Sequence, residues 1–213
     1  MSKLEIERKV LDLSRRGIEK RLEIIGAKKL FEGVVQSYYY YGDPKKLFYH
    51  KDFKEARIAT EDKNEHWIRF RLMKDINGKI TEYAETKIKK FVNGQIEKEE
   101  IGSIYNREII KELKINYVKY GIYAKSRVIK KREKYKINSI EYYVDEIRCP
   151  IILNPYLEIE ATNHKNMYHG AYLLGVMEND LIDISEKKLI ELNREAIMAA
   201  RFNLPIKEIK ISY

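Results

Sequence analysis

Two Asn-Gly dipeptides, Asn77-Gly78 and Asn93-Gly94, interrupt a stretch in which apolar and charged residues alternate: HWIRFRL before the first, ITEYAETKIKK between them and QIEKEE after the second. Asn-Gly accepts the positive φ angles of a tight hairpin, and a period of two marks strands with unlike faces. A chain with this centre folds around an antiparallel meander, with strands expected over 66–75, 79–91 and 95–102. Three-residue turns with glycine in the left-handed position would pair 75 with 79 and 91 with 95. Arg69 then faces Glu85, Lys87 faces Glu99 and Lys89 faces Glu97, while Ile68, Phe70 and Leu72 gather on the other face. Two-residue turns would instead set Arg69 against Thr86 and send Lys87 to the opposite side.

The flanking sequence supplies more strands and some helices. Residues 4–12 and 30–41 are strand-prone, and between them Ser14 caps a helix with an Ile18, Leu22, Ile25 stripe that stops at Gly26. Residues 45–65 are charged and irregular and are expected to form a loop or lid. A helix over 106–120 carries Ile110, Leu113, Tyr117 and Tyr120 on one side. Strands over 123–137 and 140–147 flank a turn at Asn138-Ser139, and if 137 pairs with 140, Arg132 lies opposite Asp145. The run YLEIEA is a further strand, and 163–204 reads as helical, with Ser185 capping a stripe of Leu189, Leu192, Ala196 and Ala199. Tyr38 to Tyr41 should alternate faces.

Composition excludes several classes. With 44% hydrophobic and 11% aromatic residues over 213, the chain can bury a core. A single cysteine, Cys149, rules out an internal disulfide. No apolar run approaches the ~18 residues of a membrane span, and the charged N-terminus lacks a signal core, so a cytoplasmic protein with no membrane contact is expected. Forty-two Lys and Arg against 33 Asp and Glu give +9, which favours an anionic partner. His50, His66, His164 and His169 never reach metal-ligand spacing. The basic run from Lys125 to Lys136 suggests a nucleic-acid patch, but strand alternation splits it between two faces.

Charges recur two apart on several strands: Glu5/Glu7/Lys9, Arg69/Arg71, Lys87/Lys89, Glu97/Glu99, Lys130/Arg132 and Glu158/Glu160. An antiparallel sheet with a solvated face accounts for any one pair. It gives little reason for strands to segregate acids from bases. A barrel closed around these residues would put carboxylates on one wall, suited to a hard divalent cation, and bases on the other, suited to phosphate.

EIERK, residues 5–9, is similar to the E-x-E-x-K signature of the CYTH proteins, also called triphosphate tunnel metalloenzymes. In order along the chain, Gln36 to Tyr40 resembles the second strand of that family, Arg69-Phe70-Arg71 its R-x-R strand and Thr86-Lys87 its t-x-K strand. QIEKE resembles the E-x-E strand, with Gln95 where an Arg usually stands. Lys130-Lys131-Arg132 with Tyr135 resembles K-x-R-x-x-Y, and Val144-Asp145 and Leu157 to Glu160 resemble the terminal strands.

The resemblance implies an α+β fold: an eight-stranded antiparallel β-barrel over 1–162, open at both ends, with helices packed outside and a C-terminal helical extension over 163–213. It implies that Glu5, Glu7, Glu158 and Glu160 bind Mg2+ or Mn2+, assisted by Glu97, Glu99 and Asp145. Lys9, Arg69, Arg71, Lys87, Lys130 and Arg132 would bind the triphosphate, with Glu5, Glu7, Lys9, Arg69 and Arg71 as the catalytic set. The expected reaction is metal-dependent hydrolysis of the terminal phosphate of tripolyphosphate, ATP or another nucleoside triphosphate. Alternatives are a class IV adenylyl cyclase, an RNA 5′-triphosphatase, and a non-catalytic polyphosphate or nucleotide-binding module. Homodimerisation is left open. The 45–65 segment and the tail beyond 163 are longer than the resemblance requires, and each could select substrate.

Overall fold

Alternation along the chain produces eight strands: β1 (Lys3–Val10), β2 (Lys28–Tyr41), β3 (Trp67–Asp75), β4 (Ile80–Val92), β5 (Gln95–Ile104), β6 (Ala124–Ile137), β7 (Ile140–Cys149) and β8 (Tyr156–Ala161). The structure is a computed structural model that describes residues 3–54, 67–92 and 95–201. Every pairing is antiparallel, and the ring closes in the order β1-β5-β4-β3-β2-β6-β7-β8. β1 makes the closure: Lys3 to Glu5 pair with Glu100 to Lys98 of β5, and Ile6 to Val10 with Ala161 to Leu157 of β8.

Three of the expected turn geometries can be compared directly. Asp75 N–H donates to the Lys79 carbonyl at 3.0 Å and Gly78 has φ +82°, so the first Asn-Gly turn is the three-residue form and Arg69 lies opposite Glu85. Ile137 pairs with Ile140, and Arg132 accordingly lies opposite Asp145. The β4–β5 hairpin differs. Val92 pairs with Gln95 rather than Phe91, and a register shift follows between Thr86 and Lys87. Lys87 therefore pairs with Glu100 and Lys89 with Lys98, not with Glu99 and Glu97.

Outside the barrel, two apolar layers cover the strands. One packs α1 (Arg15–Ile24) and α4 (His164–Leu173) over β1, β7 and β8, burying Ile6, Val10, Ile18, Leu22, Tyr142, Val144, Ile159 and Met167. Ser14 caps α1 as expected, accepting from the Gly17 N–H. The other layer packs α3 (Arg107–Lys119) over β3, β4 and β5 through Ile110, Leu113 and Tyr117 against Ile68, Phe70 and Ala84. Tyr120 is not part of that stripe; it is the C-cap of α3 and 49% exposed. The first part of the segment expected to be a loop or lid joins this layer as well. α2 (Pro44–Leu47) and a 3-10 turn (Lys51–Phe53) bring Leu47, Phe48 and Phe53 into it, all essentially inaccessible. Three large apolar side chains, too few for a periodic signal, suffice to dock a short segment. Residues 55–66 lie outside the described residues.

A third cluster alters the expected architecture. Val128, Ile147 and Tyr156 fall on the same strand faces as Lys130, Asp145 and Glu158, and they pack against Leu153, Ile184, Leu189 and Ile190. The last three belong to the approach and first turns of α5 (Glu186–Arg201). That end of the barrel is filled by apolar side chains, so the barrel is closed there rather than open at both ends. Apolar residues within the barrel faces and Ile184, Leu189 and Ile190 bury each other, and water is excluded from their contact.

Candidate active site

Inside the barrel the charges form two walls. On the first, β1 and β8 run side by side with Glu7 opposite Glu160 and Lys9 opposite Glu158. Lys9 Nζ lies 2.9 Å from Glu7 Oε1 and 2.7 Å from Glu158 Oε2, and the side chain is 1% exposed. Burial alone would lower the pKa of this ammonium, but the Glu158 and Glu7 carboxylates outweigh it and hold the pKa above its ordinary value. Glu5, Glu158 and Glu160 are also buried. Acid and base alternate in EIERK because the base ties together carboxylates from two strands.

The second wall comes from β2, β3, β4, β6 and β7. Asp145, fully buried, accepts from Arg132 Nε at 2.7 Å, Arg132 Nη2 at 2.6 Å and Lys130 Nζ at 2.7 Å. Burial would raise the Asp145 pKa, yet Arg132 and Lys130 bring it below the ordinary carboxylate range. Glu85 on β4 pairs with Arg69 and with Arg71, the latter at 3.4 Å. Tyr83 accepts from Arg71 Nη1 at 2.6 Å, and Tyr143 lies under the Arg132 guanidinium at 4.2 Å. Arg132 also comes within 3.7 Å of Glu158, which joins the walls. After all these contacts, the buried Nε atoms of Arg69 and Arg71 have no hydrogen-bond partner among the described residues.

At the closed end a carboxylate arrives from outside the barrel. Glu186, the first residue of α5, reaches Lys130 Nζ with Oε2 at 2.5 Å and accepts from the Tyr39 and Tyr156 hydroxyls at 3.3 and 3.4 Å. Burial would raise its pKa, but the Lys130 ammonium dominates and lowers it to about 2. Tyr39 in turn accepts from Arg69 Nη1 at 3.1 Å, so Glu186 stands directly behind both Arg69 and Lys130.

Of the residues singled out from sequence, Glu5, Glu7, Lys9, Arg69, Arg71, Lys130, Arg132, Asp145, Glu158 and Glu160 share the interior face. For Lys87, Glu97 and Glu99 only backbone positions are described. The register pairs Glu99 with Ile88 and Leu4, and pairs Lys98, not Glu97 or Glu99, with Glu5. In backbone register it is therefore Lys98, between Glu97 and Glu99, that stands beside Glu5. Tyr135 lies on β6 with Lys130 and Arg132 but on the opposite, outer face. Its hydroxyl donates to Glu133 at 2.5 Å in the layer beneath α1, where Arg15 and Lys29 neutralise that carboxylate. Among the described residues, no three His, Cys, Asp or Glu side chains converge as a ready metal site. The hard oxygen donors of β1 and β8 suit Mg2+ or Mn2+ by type, but Lys9 lies between two of them.

Sequence reasoning assigned no role to Glu85, Glu141, Tyr83, Tyr143, Tyr156 or Glu186. For Glu141 and Tyr143 a signal existed, since they lie four and two residues before Asp145 along β7 and so share its strand face. Glu186 gave none, because a helix-capping motif does not reveal what the helix end touches.

No protein-family model matches the chain, and no curated protein does. Solved structures do. The PH1819 protein of Pyrococcus horikoshii OT3 is 18% identical with a TM-score of 0.58, covering 89% of this chain and 99% of that one. A Vibrio parahaemolyticus protein named as a candidate adenylate cyclase is 12% identical with a TM-score of 0.58, covering 90% and 99%. The PH1012 protein of Pyrococcus horikoshii OT3 is 22% identical with a TM-score of 0.50, covering 83% and 93%. The chain shares the fold of these proteins. Among the described residues, no helix is long and apolar enough to cross a membrane.

Proposed function

We propose that this chain is a CYTH-type, metal-dependent triphosphatase that removes the terminal phosphate of inorganic tripolyphosphate or a nucleoside triphosphate within its barrel. The observation that carries the reading is the pair of buried N–H donors at Arg69 Nε and Arg71 Nε that have no partner among the described residues. A buried donor without an acceptor costs on the order of 1–3 kcal/mol. Phosphate oxygens would meet both donors, and guanidinium forks suit them in charge and shape.

The remaining roles follow from the walls. Arg69, Arg71 and Arg132 would hold the phosphate oxygens and offset charge that grows during transfer. Lys9 would exchange its Glu7 and Glu158 partners for a phosphate oxygen. Mg2+ or Mn2+ bound by Glu5, Glu7, Glu158 and Glu160 would neutralise the polyanion and make a water acidic enough to attack. A carboxylate wall is the feature a simple anion receptor lacks reason for, because it repels the ligand when metal is absent. The name of the Vibrio neighbour favours adenylyl cyclase chemistry as a second reading.

Product analysis separates these readings. The protein is incubated with tripolyphosphate, and separately with ATP, plus magnesium or manganese. Orthophosphate released from the terminal position is the expected result. Pyrophosphate with cyclic AMP would replace hydrolysis by cyclisation. If neither substrate reacts, a 5′-triphosphorylated RNA tests the third reading, favoured only by the +9 charge, and a failure there leaves a binding module.

A further inference from the structure

The closed end of the barrel carries a residue that the proposed reaction does not use. Glu186 is borne by α5, outside the ring of strands, yet its carboxylate bonds Lys130 at 2.5 Å in the interior. Lys130 is 3% exposed and already holds Asp145 at 2.7 Å. Arg132 shares Asp145 with this ammonium, so two cations meet two carboxylates, and a further anion would have to compete with Glu186 for Lys130. The path of cations that starts at Arg132 and Arg71 ends at Glu186.

The approach to α5 is built as a wall. Lys9 and Ile182 form a two-way backbone bridge, with N···O distances of 3.0 and 2.8 Å. Ile184, Leu189 and Ile190 fill the barrel end against Val128, Ile147 and Tyr156. Arg8 adds an ion pair to Asp183 at 3.6 Å. Backbone bridge, apolar packing and ion pairs all fix the same turn. Access rises in the other direction: Lys134 and Glu141, farther along β6 and β7, are 26% and 13% exposed, against 3% and 0% for Lys130 and Asp145.

We propose that Glu186 is a specificity-determining residue: a built-in anion that occupies the Lys130 position and limits the length of phosphate chain the barrel accepts. This deepens the triphosphatase reading and rests on it. A chain that enters past Lys134 and Tyr143 can place phosphates against Arg132, Arg71 and Arg69. A further phosphate would have to displace a carboxylate whose partners are already satisfied. The physical basis is like-charge repulsion at low dielectric, which buried pairs feel far more than exposed ones.

The test is calorimetric binding of polyphosphates of defined length, in magnesium, to the full chain and to Glu186→Gln and Glu186→Ala. The glutamine keeps the shape and a hydrogen-bonding group without the charge, and the alanine opens space as well. Thermal denaturation of each variant confirms folding. For wild type, affinity should rise from pyrophosphate to tripolyphosphate and then gain nothing with tetrapolyphosphate. In both variants the affinity for tetrapolyphosphate relative to tripolyphosphate should rise by about tenfold, the scale of one removed like-charge contact in a partly screened interior. A residue that only held the helix in place would lower both affinities together, and that result overturns the proposal. A wild type that already prefers tetrapolyphosphate overturns it too, while leaving the triphosphatase reading standing. If no polyphosphate binds any of the three proteins, both readings fall together.

Discussion

Asp145 shows how the interior holds charges that would otherwise be too costly to bury. It is inaccessible to solvent and accepts three hydrogen bonds from two cations. Replacing it with asparagine leaves Arg132 and Lys130 buried with a neutral partner, which should cost about 3–5 kcal/mol of stability. Urea denaturation of Asp145→Asn measures this, and a change within about 0.5 kcal/mol, the scatter of ordinary surface substitutions, would show that the cluster is not a structural requirement. Arg71 tests the site differently, because Arg71→Lys keeps the charge and loses the planar fork. Turnover per bound substrate should fall by about tenfold to a hundredfold while the fold persists. At this scale much of the interior is legible: period-two charge spacing picks out nine residues that share one face, and the Asn138-Ser139 turn adds Asp145 opposite Arg132. Glu85 was placed opposite Arg69 from turn chemistry alone, but its bond to both Arg69 and Arg71 depends on side-chain reach that spacing does not encode.

Elements were legible where periodicity was long and turn chemistry decisive. The first Asn-Gly turn gave β3 and β4 their register; the second was misread because the same dipeptide serves two- and three-residue loops. That one-position slip changes which backbone positions of β5 stand opposite Lys87 and Lys89. Gly33 was overlooked although the β2–β3 pairing depends on it. A Cβ there would land on the Lys74 carbonyl and come within 2.9 Å of the Asp75 Cα, and neither is a side chain that can rotate away. Gly33→Ala should therefore disrupt the ladder between β2 and β3, seen as loss of near-native circular dichroism or a fall in melting temperature. An alanine variant as stable as wild type would contradict the pairing. On the barrel's outside, Leu22 is fully buried between α1 and the strands. Leu22→Ala should cost about 2–5 kcal/mol, depending on how far the layer relaxes, without altering binding in the interior.

Over the whole molecule, the barrel interior and α5 are linked through buried charge, with Lys130 between Asp145 and Glu186. Asp145 and Glu186 both have carboxyl pKa values depressed by buried cations, Glu186 to about 2. Groups of this kind stabilise the fold above the pKa they have when unfolded, and the contribution is lost as pH falls through the folded value. Stability should hold near neutrality and decline between about pH 5 and about pH 2, read from denaturation midpoints. Glu186→Gln should flatten part of that decline, and an identical slope would remove Glu186 from the coupling. The closed end was the least legible feature at this scale. Ser185 and the stripe beginning at Leu189 announced a helix, but only the third dimension shows that Ile184, Leu189 and Ile190 meet Val128, Ile147 and Tyr156.

The central claim is that the charged interior receives a metal-linked triphosphate and is more than a network of internal ion pairs. Calorimetric titration of the purified chain with tripolyphosphate, with magnesium and then with a chelator in its place, tests this most directly. The account predicts saturable one-site binding in magnesium that weakens by at least about tenfold when the carboxylate wall lacks its cation. Absence of binding under both conditions would contradict it and leave the interior charges a purely structural device.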